Sequence, residues 1–199
     1  MERELVMTGI GGQGIQLAAQ ILAKAALIEG REVQLFGSYG GMMRGGNTEA
    51  TLVFADGAIE APPTVGHSWS GILMHHDYSE PTIARLRPGS VVFLNTTVFE
   101  GDLDRSPYVM VEVPATDIAV EVGNIMTASM VMIGAYAGAT DLVTLDSMAT
   151  AVADSLPSYR AQHVALNVAA LQAGFDAAPR RLAPAWQEAA TAASAGVNR

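Results

Sequence analysis

LVMTGIGGQGIQLAAQILAKAAL, residues Leu5 to Leu27, holds two hydrophobic patterns with a glycine-rich turn between them. Leu5, Val6 and Met7 make a short apolar run that closes at Thr8-Gly9. Beyond the glycines, apolar residues recur at Ile15, Ala18, Ala19, Leu22, Ala23 and Ala26, the spacing of a helix with one buried face. A strand, a tight turn and a helix N-terminus are the opening unit of an α/β fold. Gly9, Gly11 and Gly14 satisfy G-x-G-x-x-G, and Gly12 and Gln13 complete the turn. Exposed backbone N–H groups at the positive end of a helix dipole suit an anion. The same glycines also let a helix pack closely on a strand, and the sequence leaves both uses open.

The second half of a dinucleotide signature is missing. A nicotinamide site needs an acidic residue about 20 positions on, at the end of the second strand, to hold the ribose hydroxyls. Here the second strand, Glu32 to Phe36, has its acid at the wrong end and runs into Gly37-Ser38-Tyr39. Residues Gly37 to Asn47 (GSYGGMMRGGN) then read as a loop, with five glycines in eleven residues and Arg44 as the only charge. Glycine this dense implies close approach of backbone to something. Arg44, followed by Gly45 and Gly46, suits a carboxylate or phosphate, or else an acid of its own chain.

Further along, Thr48 to Phe54 alternates as a strand, and Asp56-Gly57 predicts a hairpin into Ala58-Ile59-Glu60. That is an antiparallel excursion from a mostly parallel sheet. Gly71 to Met74 predicts a buried strand followed by His75-His76-Asp77, whose rings should point to opposite sides of an extended chain, a poor metal set. A helix over Tyr78 to Leu86, a turn at Arg87-Pro88-Gly89, and strands at Ser90–Leu94 and Tyr108–Val113 follow. Asn95 closes the first of these strands, at the carboxyl edge where open α/β sheets take ligands. Thr116 is a candidate cap for a helix from Asp117 to about Ala139, broken near Gly123-Asn124, with a face of Ile125, Met126, Met130, Met132 and Ile133. Two more helices, Leu142–Leu156 and Gln162–Phe175, precede a tail in which Trp186 is positioned to anchor on a neighbour. Residues 1–178 read as one α/β domain and 179–199 as a C-terminal tail.

Composition narrows the function. Half the residues are hydrophobic and 16% are charged, with positive mean hydropathy, which favours a chain that buries surface against partners. No apolar run reaches the 18 or so residues of a membrane helix, and Met1-Glu2-Arg3-Glu4 lacks a basic leader, so the expectation is a cytoplasmic protein without a membrane segment. With no cysteine, this chain cannot supply a thiol nucleophile, thiolate zinc or iron–sulfur ligands. A net charge of −9, one lysine and ten scattered arginines argue against nucleic acid. There is no G-x-S-x-G, H-E-x-x-H, G-x-x-x-x-G-K-S/T or thiamine-type G-D-G set. Backbone suited to phosphate without acid–base machinery is the profile of a binding or assembly subunit, with no catalytic residue and no metal ligand of its own.

Three stretches together resemble the gamma subunit of the 2-oxoacid:ferredoxin (or other acceptor) oxidoreductases. They are GIGGQGIQLAAQILAKAA (Gly9–Ala26), SYGGMMRGGNTEATLVFAD (Ser38–Asp56) and VPATDIAVEVGNIMTASMVMIGAY (Val113–Tyr136), similar in order and spacing to the family's pattern. The resemblance implies a three-layer α/β/α, Rossmann-like fold, mostly parallel with an antiparallel excursion and C-terminal helices. It implies a heteromeric complex in which alpha, beta and delta-type subunits carry thiamine diphosphate, magnesium and iron–sulfur clusters. That complex oxidatively decarboxylates a 2-oxoacid to an acyl-coenzyme A and passes electrons to ferredoxin or an NAD-linked acceptor. This chain then holds no cofactor tightly. Gly9, Gly11, Gly12, Gln13, Gly14, Arg44, Gly45, Gly46 and Asn95 would face partner subunits or a coenzyme A pocket. Gly41-Met42 stands where the family tends to have Pro-Glu, Ser70 where an Asp is usual and Ser129 where an Asn is usual, which points toward an aryl 2-oxoacid such as phenylglyoxylate or indolepyruvate. The other classes compatible with the residues are an NAD(P)-dependent dehydrogenase and a free-standing coenzyme A or nucleotide-binding module.

Overall fold

The first strand, β1 (Glu2–Ile10), is apolar on both sides because both are covered. Leu5 and Met7 enter the main core, while Val6 and Thr8 face the other way and are equally buried. The computed structural model describes residues 1–39, 45–156 and 158–186, without residues 61–64 and without the side chains of Tyr39 and residues 158–160. Its centre is a six-stranded sheet in the order β2-β3-β1-β4-β5-β6, with β2 Glu32–Tyr39, β3 Asn47–Ala55, β4 Ser68–Leu73, β5 Leu86–Asn95 and β6 Val109–Val113. The β1/β4, β4/β5 and β5/β6 pairs are parallel, and β3 runs antiparallel to both β1 and β2.

Five helices cover one face: α1 Ile15–Ile28, α3 Ala115–Val122, α4 Ala128–Thr140, α5 Leu145–Ser155 and α6 Val164–Ala177. The opposite layer is thin. The single turn α2 (Glu80–Ile83) and the 96–108 segment cover Leu73, Val92 and Leu94 with Ile83, Phe99, Leu103 and Tyr108. The fold is thus a three-layer α/β/α arrangement with one layer reduced. Helix α4 is buried on every side, sandwiched between the sheet and α6, so it has no polar face to show. Its Tyr136 lies against Phe93 and meets Ser70 Oγ at 3.0 Å. Ser70 Oγ donates to the Glu4 carbonyl, so the phenol is the donor in that pair. Burial pushes the Tyr136 hydroxyl well above its ordinary pKa, the Ser70 bond opposing it, so it keeps its proton.

Several expectations are corrected by this architecture. Gly37, Ser38 and Tyr39 are strand, not loop: β3 supplies ladder partners as far as Tyr39↔Thr48. The partner of β3 is not Ala58–Glu60, which forms no strand; β3 pairs with β1 and β2. Arg87-Pro88-Gly89 sits inside β5 as an irregularity, because the register jumps from Ser68↔Leu86 to Ser70↔Val91. The helix expected over Tyr78–Leu86 shrinks to α2, since Leu86 is taken by the sheet and Tyr78 turns to a φ of 63°. Helix α3 starts at Ala115, two residues early, and Thr116 caps nothing: its hydroxyl accepts from Asn95 instead. The break near Gly123-Asn124 is there, with Gly123 at φ 115° ending α3 and Asn124 Oδ1 accepting from Met126 N. It splits the expected methionine face. Met130, Met132 and Ile133 are fully buried, whereas Ile125 and Met126, on a 3₁₀ turn, are 56% and 59% exposed. Trp186 anchors on its own chain, donating to the Leu142 carbonyl beneath the Arg31 guanidinium. The segment before it is tied to α4 through Arg181, Ala183 and Ala185 N–H groups.

Candidate functional site at the carboxyl edge of the sheet

After β1 the chain crosses through α1 toward β2 and β3, while β4, β5 and β6 build on the other side of β1. The loops after β1 and β4 therefore diverge, and open α/β sheets take ligands outside the strand ends at such a divergence. The glycine turn lies there. Gly14, at φ 78°, is the N-cap of α1, with no side-chain cap and no acid in the first helical turn. Gly12 has φ 106°, and among the described residues nothing lies within 4 Å of a Cβ placed on it. Gly14 faces inward: a Cβ there would stand 2.7 Å from Ser129 Oγ of α4, so glycine is what lets the turn lie on that helix. A serine in place of the longer asparagine fits under it.

The structure brings most of the candidate residues together. Gly11 N donates to the Gly46 carbonyl at 2.8 Å, joining the β1–α1 turn to the start of β3. Gln13 folds back, its Oε1 accepting from Ile10 N at 2.9 Å and its Nε2 donating to the Met74 carbonyl at 3.3 Å. That carbonyl also accepts from Asn95 Nδ2, whose other contact is Thr116 Oγ1 at 2.9 Å. Asn95 is fully buried, so its amide ties β4, β5 and α3 together from within. Gly9 packs beneath Gln13, where a Cβ would meet Oε1 at 2.5 Å. Arg44 falls outside the described residues, so only Gly45 and Gly46 of that turn are placed.

Beside the turn opens a cleft of about 390 Å³ lined by Gly12, Gly14, Asn124, Met126, His163 and Asn167 among others. Val120, Ile125 and Met126 are exposed on α3 and the 3₁₀ turn that follows it. Sequence reasoning places Ile125 and Met126 on one face with Met130, Met132 and Ile133. The signal that frees them, Gly123-Asn124, is visible in the sequence, but its effect on direction is not.

His75-His76-Asp77 also departs from expectation. Ser79 N and Oγ both donate to the His76 carbonyl, so the chain turns instead of extending. The two rings stack on one side, 4.3 Å apart.

The geometry argues against a nicotinamide site as well. In this sheet β3 separates β2 from β1, setting the second strand roughly 10 Å from the glycine turn's strand, twice the usual spacing.

Taken together, these features define a class: an α/β subunit with an amide-rich sheet edge, an adjoining apolar lip and, among the described residues, no recognisable proton-transfer set. The chain belongs to the pyruvate ferredoxin/flavodoxin oxidoreductase family, whose model matches residues 4–177. It is similar to the 2-oxoglutarate synthase subunit KorC of Methanocaldococcus jannaschii, 30% identical over 89% of this chain and 95% of that protein. It is also similar to the pyruvate/ketoisovalerate oxidoreductases common subunit gamma of Pyrococcus abyssi, 32% identical over 76% of this chain and 85% of that one. Among solved structures, the gamma subunit of keto/oxoacid ferredoxin oxidoreductase from Geobacter sulfurreducens superposes with a TM-score of 0.73 at 26% identity, covering 88% of this chain and 98% of that one. The fold recurs in 2-oxoglutarate:ferredoxin oxidoreductase from Magnetococcus marinus, TM-score 0.79 at 17% identity, over 92% of this chain and a 33% share of that longer one. Within its family this is a gamma-type chain. Among the described residues, no helix is long and apolar enough to cross a membrane.

Proposed function

We propose that this chain is the gamma subunit of a 2-oxoacid:acceptor oxidoreductase, and that it contributes an assembly surface to chemistry carried out by other subunits. The observation that carries the reading is the exposed Ile125–Met126 turn beside the glycine edge, which with Val120 offers apolar surface suited to a partner. Partner chains of alpha, beta and delta type supply thiamine diphosphate, magnesium, iron–sulfur clusters and the route to ferredoxin or an NAD-linked acceptor. The strip formed by Gly9, Gly11, Gly12, Gln13, Gly14, Gly45 and Gly46, with Arg44 next to it in sequence and Asn95 bracing it, faces a partner or coenzyme A. With a net charge of −9 and a single lysine, the attraction for an anion here comes from the backbone amides and Arg44.

A relative described as a subunit common to pyruvate and ketoisovalerate oxidoreductases supports placing the choice of 2-oxoacid outside this chain. On that view the departures at Gly41-Met42, Ser70 and Ser129 do not select an aryl substrate by contact.

The test is a native pull-down of the full chain. Wild type retains larger thiamine- and cluster-bearing chains, and Ile125→Ser with Met126→Ser releases them while leaving the fold intact. Retention of those chains by the double variant would remove the assembly role from this lip. Turnover of a 2-oxoacid by the lone chain would end the proposal altogether.

A further inference from the structure

His75, His76 and Asp77 stand directly after β4, at the divergence of the two halves of the sheet. The residue before them is held on both sides: Met74 N donates to the Thr8 carbonyl, and Met74 O accepts from Gln13 and Asn95. The turn after them is held as well, by the two Ser79 bonds to the His76 carbonyl. The trio is thus carried on a braced segment of backbone.

Their donor atoms converge. His75 Nδ1 lies 3.6 Å from Asp77 Oδ2, and His76 Nε2 lies 3.6 Å from Asp77 Oδ1. The three donor atoms all lie within 4.8 Å of one another. Around a tetrahedral first-row divalent ion with bonds of about 2.0–2.2 Å, donors stand roughly 3.3–3.6 Å apart, so the two stacked rings must turn toward the carboxylate to complete the set. His75 Nδ1 accepts from Asp77 N at 3.0 Å, which puts the ring proton on Nε2; an ion on Nδ1 replaces that hydrogen bond. His76 Nδ1 lies 3.3 Å from the Val98 carbonyl; donation there leaves the Nε2 lone pair free on the Asp77 side. Glu100 N, also 3.3 Å from Nδ1, competes for the opposite tautomer, and a metal on Nε2 would decide between them. Phe99 packs edge-on against the His76 ring from the other side. The imidazoles are partly sheltered and the carboxylate is open to solvent, so an ion has an entry path and room for water.

We propose that His75, His76 and Asp77 form a divalent transition-metal site. Two imidazoles and one carboxylate suit zinc, cobalt or nickel in preference to calcium or magnesium, with water in the remaining positions. A bound ion cross-links the 74–79 turn to the 96–100 loop through His76 and stiffens the carboxyl edge. This site is independent of the assembly reading.

Cobalt(II), titrated into the untagged full-length chain, tests it by visible absorption and calorimetry. The expected result is one equivalent bound with Kd below about 100 μM, displaced by zinc. Asp77→Asn, at an exposed side chain, weakens binding several-fold, and His75→Gln with His76→Gln weakens it at least ten-fold. His67→Gln with His163→Gln leaves it unchanged. Millimolar or multi-site binding by wild type overturns the proposal, as does one-equivalent binding that survives loss of the trio in a chain with unchanged circular dichroism.

Discussion

Glycine is used in opposite ways in two regions of this molecule. At the sheet edge Gly12 and Gly45 have φ of 106° and 91°, and among the described residues nothing lies within 4 Å of where a Cβ would stand. They are needed for backbone shape, and no described residue fills the space beside them. Between α4 and α6 no glycine has a positive φ, and the space is full. A Cβ on Gly134 would stand 2.1 Å from the Leu171 carbonyl oxygen, one on Gly174 1.8 Å from that of Val131, and one on Gly138 2.9 Å from that of Phe175. There glycine sets how closely two helices approach. The helical glycines set packing distance, and the edge glycines set the left-handed backbone of their turns.

Substitutions put that contrast at risk. Gly174→Ala must push α6 off α4; overpacking of this kind costs about 3 kcal/mol, and thermal denaturation should show a midpoint roughly 10 °C lower. Stability close to wild type would mean the helices part easily. Gly14→Ala combines a left-handed φ with the Ser129 contact. About 2 kcal/mol of destabilisation is expected in urea titrations. A double-mutant cycle with Ser129→Ala should recover part of it, and full additivity would show that the contact is irrelevant. Gly12→Ala meets no described atoms, so only backbone strain of about 1 kcal/mol is expected. If it nevertheless abolishes co-purification with partner subunits, the space is filled in the complex. The smallest stability change, under about 0.5 kcal/mol, is expected for Met126→Ser, because the residue is exposed; its effect should appear in assembly alone.

The legible parts of the chain are those in which local pattern and burial agree. β1, α1, β3 and the α3–α4 break follow from hydrophobic period and glycine punctuation, since each is dictated within a few residues. The illegible parts depend on distant partners. Gly37-Ser38-Tyr39 reads as loop because glycine and serine are weak strand formers, yet β3 imposes a ladder on them. Thr116 looks like a cap until Asn95, 21 residues away, takes its hydroxyl. The histidine pair looks divergent while the chain is assumed extended, and the Ser79 turn reverses that. Of the candidate site, the glycine turn is visible as a motif. Its junction with Gly46, and the apolar lip beside it, come only from folding.

Short-range periodicity and composition along the chain were enough to establish the α/β class and the absence of cysteine, because each is written locally, and three motif stretches carry the resemblance to the family. They could not establish that β3 lies between β1 and β2, that Met126 faces outward while Met130 does not, or that the His75 and His76 rings stack on one side. Each of those outcomes is a competition among partners far apart in sequence, and free energy of packing settles it only when all of them are present.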